Sequence, residues 1–303
     1  MSDSMERLPI RVGTDFDVAF NRSMVLPPDE ATIAMAHMAT NLLAATKVAQ
    51  RLYTGFNPES IKVVDLGAGS GVIATTLMVS SEEMTDVTLL DVDSGTFNIA
   101  SLNMANAKLF REEKGLPEVR SRHVKGSWHD ESVWADLGPT DLYISNPPYL
   151  VHGERVRPGY EHTPADHLYV HDNADLMNNY ESIVLGALRR MRTWDLMVTR
   201  LPNGERVEEM QSWVNSLSRL MLEELRKIGS SDYHVISTER FKSCTDRPLH
   251  ALVLQRLPVD YPAIDPTNDA RVDIFMRTGK DPGEVSIGPS RPSGSAMLLM
   301  SIF

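Results

Sequence analysis

Asn146, Pro147, Pro148 and Tyr149 stand at the end of an apolar run, and 75 residues before Asn146 a loop bearing Gly67, Gly69 and Gly71 closes another such run, Val63 to Leu66. Two consecutive prolines supply no backbone donor and hold φ near about −65°, so the carbonyls around them stay open to accept hydrogen bonds. Asn146 adds an amide oxygen and Tyr149 a flat aromatic face. This strand end suits a planar N–H₂ group presented to paired acceptors. The glycines permit a tight turn and let a ligand approach the backbone where a Cβ would obstruct it. They follow a strand and open a helix, the junction at which an open α/β sheet presents its ligand crevice.

The spacing Gly-x-Gly-x-Gly, with Asp65 two residues ahead of Gly67, differs from the Gly-x-Gly-x-x-Gly fingerprint of dinucleotide enzymes and disfavours a nicotinamide cofactor. Asp91, 24 residues after Gly67, falls where an acid binds ribose hydroxyls, with Asp93 as the fallback. A ligand-free turn could carry the glycines alone; the joint presence of Asp65, Asp91 and Asn146–Tyr149 argues for a ligand site. His167 and His171 have the i, i+4 spacing of a helical metal site, with His152 and His162 nearby. No cysteine or His-Glu-x-x-His pattern supports them, so they read as solvated or hydrogen-bonded and no metal is expected.

The elements that must position these residues follow from periodicity. Met35, Met38, Leu42, Ala45, Ala49 and Leu52 recur at steps of three and four after Leu26-Pro27-Pro28-Asp29-Glu30, predicting one long helix with a packing face, ended at Asn57-Pro58. Strands are expected at 61–66, 87–92, 119–125, 140–145 and 195–200. Helices are expected after the glycine loop to about residue 80 and at 95–109, 175–192 and 205–228. Tyr233–Arg240 and Leu249–Leu257 follow without an intervening helix and read as an antiparallel terminal pair. The expectation is α/β: a seven-stranded, doubly wound, mostly parallel sheet with a short helical segment before it. Residues 1–57 form the lead and helix, 58–257 the catalytic domain, and 258–303 an appendage rich in Pro, Asp, Gly and Ser, in which only Val272–Met276 and Ala296–Phe303 look like strands. That tail could wrap the core or bridge a homodimer.

With 303 residues, 42% of them hydrophobic, the chain can bury a substantial core. A formal charge of −11 lowers the odds of a phosphate-tracking surface, so a nucleic-acid partner is not expected; Arg189-Arg190-Met191-Arg192 is the cluster that would have to line a groove. Cys244 is the lone cysteine, which excludes an internal disulfide. With no signal-peptide pattern and no apolar run long enough to span a bilayer, the expected location is the cytoplasm and no membrane partner is expected.

Together, Asp65–Gly71, Asp91 and Asn146–Tyr149 resemble the class I S-adenosylmethionine-dependent methyltransferases, and more narrowly the HemK/PrmC-like group that methylates amide nitrogen. The resemblance spans about residues 20–257, with weaker similarity at Leu26-Pro27-Pro28-Asp29 and Tyr160-Glu161. It implies S-adenosylmethionine as cofactor, held by Asp65, Gly67, Gly69, Gly71 and Asp91 or Asp93, with Ser127 and Trp128 at the adenine and Asn146 bordering both ligands. It also implies Glu161 beside the acceptor. Gly126-Ser127-Trp128 departs from the Asp-aromatic pair usual there, no helical recognition domain precedes residue 20, and residues 258–303 have no counterpart.

For an in-line methyl transfer the Asn146 side-chain oxygen and the Pro147 carbonyl would bind both N–H protons of the acceptor, with Tyr149 against its plane. The expected reaction is N-methylation of an amide, guanidino or amine nitrogen in a small amino-acid-like metabolite or peptide side chain. The alternatives are the exocyclic amine of a nucleic-acid base, flipped out against Tyr149, and an inactive cofactor-binding partner subunit.

Overall fold

The computed structural model describes residues 5–11, 15–56, 60–150, 156, 160–169, 176–201, 233–242 and 248–258. Strands β1 (Glu6–Arg11) and β2 (Asp15–Phe20) pair as an antiparallel hairpin ahead of helix α1 (Glu30–Thr54). Then follow β3 (Ile61–Leu66), α2 (Val72–Ser80), β4 (Met84–Asp91), α3 (Phe97–Glu113), β5 (Arg120–Lys125), α4 (Glu131–Leu137) and β6 (Leu142–Ser145). The short α5 (Ala165–Leu168), α6 (Leu176–Leu188), β7 (Leu196–Leu201), β8 (Tyr233–Lys242) and β9 (Pro248–Leu257) complete the order.

The main sheet has the order β5-β4-β3-β6-β7-β9-β8. Neighbours from β5 to β7 are parallel and β9 is antiparallel to both β7 and β8, so the mixed α/β sheet with a terminal antiparallel hairpin stands as the sequence predicts. The strand order reverses between β3 and β6, whose carboxyl ends carry the glycine loop and Asn146. In an open α/β sheet this is where a crevice opens.

Period-2 alternation sends successive residues to opposite faces. Val63, Leu142, Ile144, Leu196 and Val198 join the cluster under α1, α2 and α3, whereas Val64, Leu66, Tyr143 and Met197 pack against α4 and α6. Strands buried on both faces read as continuous apolar runs, as β3, β6 and β7 do.

Several expectations differ. The hairpin β1–β2 precedes the helix where only a short lead was expected; Asn103 of α3 accepts from the Ala19 N–H and donates to the Ala19 and Ser70 carbonyls, each at 2.8 Å, joining the hairpin to the glycine loop. Helix α1 is capped by Asp29 and stops at Gly55, whose φ of 71° suits glycine alone, ahead of Asn57-Pro58. Met35, Met38, Ala45 and Ala49 are buried as the stripe requires, yet Leu52 is 75% exposed. A helix of 25 residues is about 38 Å long and the six-residue strands beneath it about 20 Å, so its last turns overhang the sheet. Helix α4 was not anticipated, and α3 runs to Glu113 because Arg111 is a structural residue: 1% exposed, it donates to the Met78, Ser81, Glu82, Met84 and Pro117 carbonyls. The expected helix 205–228, the tail beyond 258, His152, His171 and Cys244 lie outside the described residues. Among the described residues no helix is long and apolar enough to cross a membrane.

At the amino ends of the strands, remote from the crevice, Lys47 of α1 reaches Asp141 at 2.5 Å, both buried, and Asp141 also accepts from the Lys62 N–H at 2.8 Å. Asp141→Ala would leave the Lys47 ammonium buried and uncompensated, a loss of about 3–5 kcal/mol by urea denaturation. Cofactor affinity of the folded fraction should change less than about twofold, since the pair lies across the sheet from the cleft.

Candidate functional site

The cleft is lined by Gly67, Ala68, Gly69, Ser70, Val72 and Ile73 on the loop side. Asp91, Val92, Trp128, Asn146, Pro148 and the segment Leu26 to Pro28 with Thr32 form the rest of its wall. The loop is held by its neighbours: Gly67 and Ala68 donate to the Leu90 carbonyl at 2.8 and 3.0 Å, and Gly71 to the Ala68 carbonyl at 2.7 Å. Gly67, Gly69 and Gly71 all have positive φ, at 77°, 50° and 71°. A Cβ on Gly67 would lie 3.2 Å from the Trp128 ring, while the space beside Gly69 is open.

Asp91 ends β4 and is 7% exposed. One carboxylate oxygen accepts from the Gly69 N–H at 2.8 Å and the other from the Asp93 N–H at 2.9 Å. It therefore shapes the loop as well as lining the cleft, with further lone pairs for a ligand hydroxyl. Asp93 is not a lining residue; its carboxylate accepts from the Gly95 N–H at 2.7 Å and shapes the turn into α3.

Asp65 lies beneath the loop rather than on the cleft wall. Helix α2 begins at Gly71, which has no side chain to cap it, and Asp65 on β3 takes over by accepting from the Ala74 N–H at 3.2 Å. Its other oxygen has no partner among the described residues. Burial, with Asp91 adding repulsion, pushes the carboxyl up to about 7 against the single bond from Ala74.

Trp128 lines the cleft and donates from its indole to Asn179 of α6 at 2.7 Å, and Asn179 donates to the Pro148 carbonyl at 3.4 Å. The loop after β5 is thereby joined to the Asn-Pro-Pro-Tyr turn. Ser127 is not a lining residue and accepts from the His129 N–H.

Asn146 lines the cleft and donates from Nδ2 to the Thr32 hydroxyl at 3.1 Å; its Oδ1 is buried and has no partner among the described residues. Pro147 is buried and outside the lining set. Tyr149 is partly buried, with the Arg200 guanidinium 5.7 Å from its ring centroid, so one aromatic face is already occupied by a cation. Glu161 sits on an exposed turn where its charge acts on Arg22, apart from the lining residues.

Arg200, at the end of β7, is the main residue that sequence reading passes over. It is 4% exposed and grips Asp29 with two bonds of 3.0 and 3.1 Å. Burial alone would raise the Asp29 carboxyl; Arg200 and the Thr32 bonds outweigh it and hold it below the usual carboxylate range. An arginine inside the apolar run Leu196–Leu201 was the available signal for a buried, paired charge.

The Arg189–Arg192 cluster is at the other end of α6 and β7. Arg190 pairs with Glu131 and lies over Trp134, Arg189 reaches Glu131 at 3.9 Å, and Arg192 reaches Asp195 at 3.3 Å and Asp141 at 3.7 Å. It does not line the cleft.

Residues 38–159 match the model of the methyltransferase small domain family. No curated protein matches the chain in sequence. Among solved structures, the human methyltransferase 10 domain containing protein is 17% identical with a TM-score of 0.44, covering 76% of this chain and 85% of that one. The N-terminal domain of human METTL16, in complex with SAH, is 16% identical with a TM-score of 0.44, covering 76% and 72%. Precorrin-6y C5,15-methyltransferase from Geobacter metallireducens is 12% identical with a TM-score of 0.36, covering 70% and 86%.

The buried Asp65 gives a pH-dependent expectation. Its folded pKa of about 7 lies above the usual 3.8, so the stability tied to its proton is complete below pH 3.8 and lost as pH rises through about 7. Asp65→Asn, which cannot ionise, should therefore gain on the wild type by roughly 2 kcal/mol more at pH 8 than at pH 5, read from urea midpoints at the two pH values.

Proposed function

We propose that this chain is an S-adenosylmethionine-dependent methyltransferase of class I, a reading supported by the match of residues 38–159 to the methyltransferase small domain, and that it methylates a planar or primary nitrogen of an amino-acid-like metabolite or peptide side chain. This is the chemistry of the HemK/PrmC-like group that Asn146–Tyr149 resembles. The observation that carries the reading is the Asn146 side-chain oxygen, buried and without a partner among the described residues, on a residue that borders the cofactor cleft. A buried acceptor left open costs about 1–3 kcal/mol unless a ligand donor meets it, and an acceptor N–H supplies that donor.

The residues present fit the cofactor. Gly67 and Gly69 leave the loop wall bare, and Asp91 offers carboxylate lone pairs toward ribose hydroxyls. Val92, 42% exposed though apolar, and the Trp128 ring offer flat apolar surface for a base. Ser127 and Asp93 support that wall from behind, and Asp65 and Gly71 set the start of α2. Bound S-adenosylmethionine supplies an electrophilic methyl group on a sulfonium.

The protein's task is then positioning. Asn146 Oδ1 and the Pro147 carbonyl accept the two N–H protons of the acceptor, which aims the nitrogen lone pair along the methyl axis. As positive charge develops on that nitrogen, both oxygen dipoles stabilise it without reorganisation. Arg200 already covers one face of Tyr149, so the acceptor meets its other face or its edge. The methylated nitrogen loses its extra proton to water, and Glu161 has no part in that step. Leu26, Pro27 and Pro28 close the cleft with apolar surface and a run poor in donors.

Asn146→Ala should bind S-adenosylmethionine within about threefold of wild type by calorimetry and lose about 10²–10³-fold in methyl transfer. The assay follows labelled methyl into a metabolite extract, a glutamine-bearing peptide and nucleic acid side by side. Label in the first two that disappears in the variant bears the proposal out; label in nucleic acid, or turnover that survives the substitution, overturns it.

A further inference from the structure

An asparagine amide can be turned either way about its last bond, presenting oxygen or NH₂ to the same point, and the chemistry proposed for Asn146 works in one orientation only. The surrounding hydrogen bonds decide which. The Thr32 hydroxyl has one proton and two lone pairs. It donates its proton to Asp29 Oδ1 at 2.7 Å, and it accepts from Arg200 Nη1 at 3.2 Å and from Asn146 at 3.1 Å. Asp29, held ionised against Arg200, can only accept, so the hydroxyl proton cannot turn toward Asn146. Only the NH₂ end of the amide can face Thr32, which leaves Oδ1 on the other side, the atom without a partner.

We propose that Thr32, locked by the buried Asp29–Arg200 pair, is a positioning residue that fixes the Asn146 amide so that its oxygen meets the methyl acceptor. The three residues come from distant parts of the chain: Asp29 caps α1, Thr32 lies in its first turn, and Arg200 ends β7 on the face that also carries Leu196 and Val198. Arg200 cannot give its proton to the hydroxyl in a way that reverses the chain, because a guanidinium has donors and no acceptor. The Asp29 and Arg200 ions therefore fix the direction of the hydroxyl's own bonds, and through the hydroxyl that of the Asn146 amide. The inference rests on the reading of Asn146 as the acceptor's partner, and its test separates the two.

The test uses the full chain with three substitutions. Thr32→Val keeps the shape and removes the hydroxyl, Thr32→Ser keeps the hydroxyl, and Asn146→Ala removes the amide. The side-chain NH₂ resonances of Asn146, assigned by their loss in Asn146→Ala, are followed by ¹⁵N NMR. They should move or broaden in Thr32→Val and stay near wild type in Thr32→Ser; resonances unmoved in Thr32→Val overturn the inference whatever the activity. In the labelled-methyl assay Thr32→Val should lower kcat by roughly tenfold or more, with the KM for S-adenosylmethionine within about twofold, and Thr32→Ser should recover most of it. Adding Thr32→Val to Asn146→Ala should cost less than about twofold further, because the hydroxyl acts through the amide. Full additivity would assign Thr32 a structural role and reject the inference. An Asn146→Ala enzyme that still turns over would instead reject the function while the NMR result stands.

Discussion

Helix α1 is fastened to the sheet by a buried ion pair at each end, and the cleft depends on the one at its amino-terminal end. Asp29 meets Arg200 at the carboxyl ends of the strands, and Lys47 meets Asp141 at their amino ends, across 171 and 94 residues of chain. The 18 residues from Asp29 to Lys47 span about 27 Å of helix, more than the strands beneath. A buried ion pair gains little over an apolar substitute of the same shape, yet losing one partner is expensive. Such pairs thus specify where α1 lies more than they deepen the fold. The core under α1 could tolerate a small slide of the helix; the bidentate grip of Arg200 on Asp29 cannot, and it holds Leu26–Pro28 and Thr32 against the cleft.

The glycine loop is governed by two carboxylates with divergent surroundings. Asp91 has backbone N–H groups on both oxygens, whereas the buried Asp65 has, among the described residues, one bond and one bare oxygen. The loop needs Asp65 because a helix that starts at a glycine in the left-handed region has no side chain of its own to cap it. The charge there is costly, and the helix dipole of α2 recovers only part of the cost. Cofactor binding and pH therefore meet at a residue that does not touch the cleft.

How much of this was legible in the sequence depends on range. The loop Gly67–Gly71, the strand ends at Asp91 and Asn146, and the sheet with its terminal hairpin were read from local pattern, because glycine spacing and apolar runs encode them within a few residues. The hairpin β1–β2 was not, since Glu6–Arg11 lacks a long alternation and is held in part by Asn103, 84 residues from its partner Ala19. Leu52 fits the apolar period of α1 but lies past the sheet it should cover, and periodicity carries no information about where the partner surface ends. Asp29 was read as a favourable charge in a first turn, which is true and incomplete. Its bond to Arg200 is a tertiary fact, and only the oddity of an arginine in an apolar strand pointed to it.

The acceptor end of the cleft has a consequence that follows from direction of charge alone. Asn146 Oδ1 is closed off from solvent and has no partner among the described residues, and a stripped acceptor of this kind carries a cost in the free protein. A group with N–H protons relieves that cost on binding, and in a dry site the same bond strengthens as positive charge grows on the nitrogen. An oxygen nucleophile that has lost its proton would meet the amide oxygen with like polarity and gain nothing. Arg200, the cation against the Tyr149 ring, is paired with Asp29, so its charge is largely offset before it reaches the cleft. On the proposed function, preference for nitrogen over oxygen would follow from the orientation of one side chain, which the Asp29–Arg200 pair holds through Thr32.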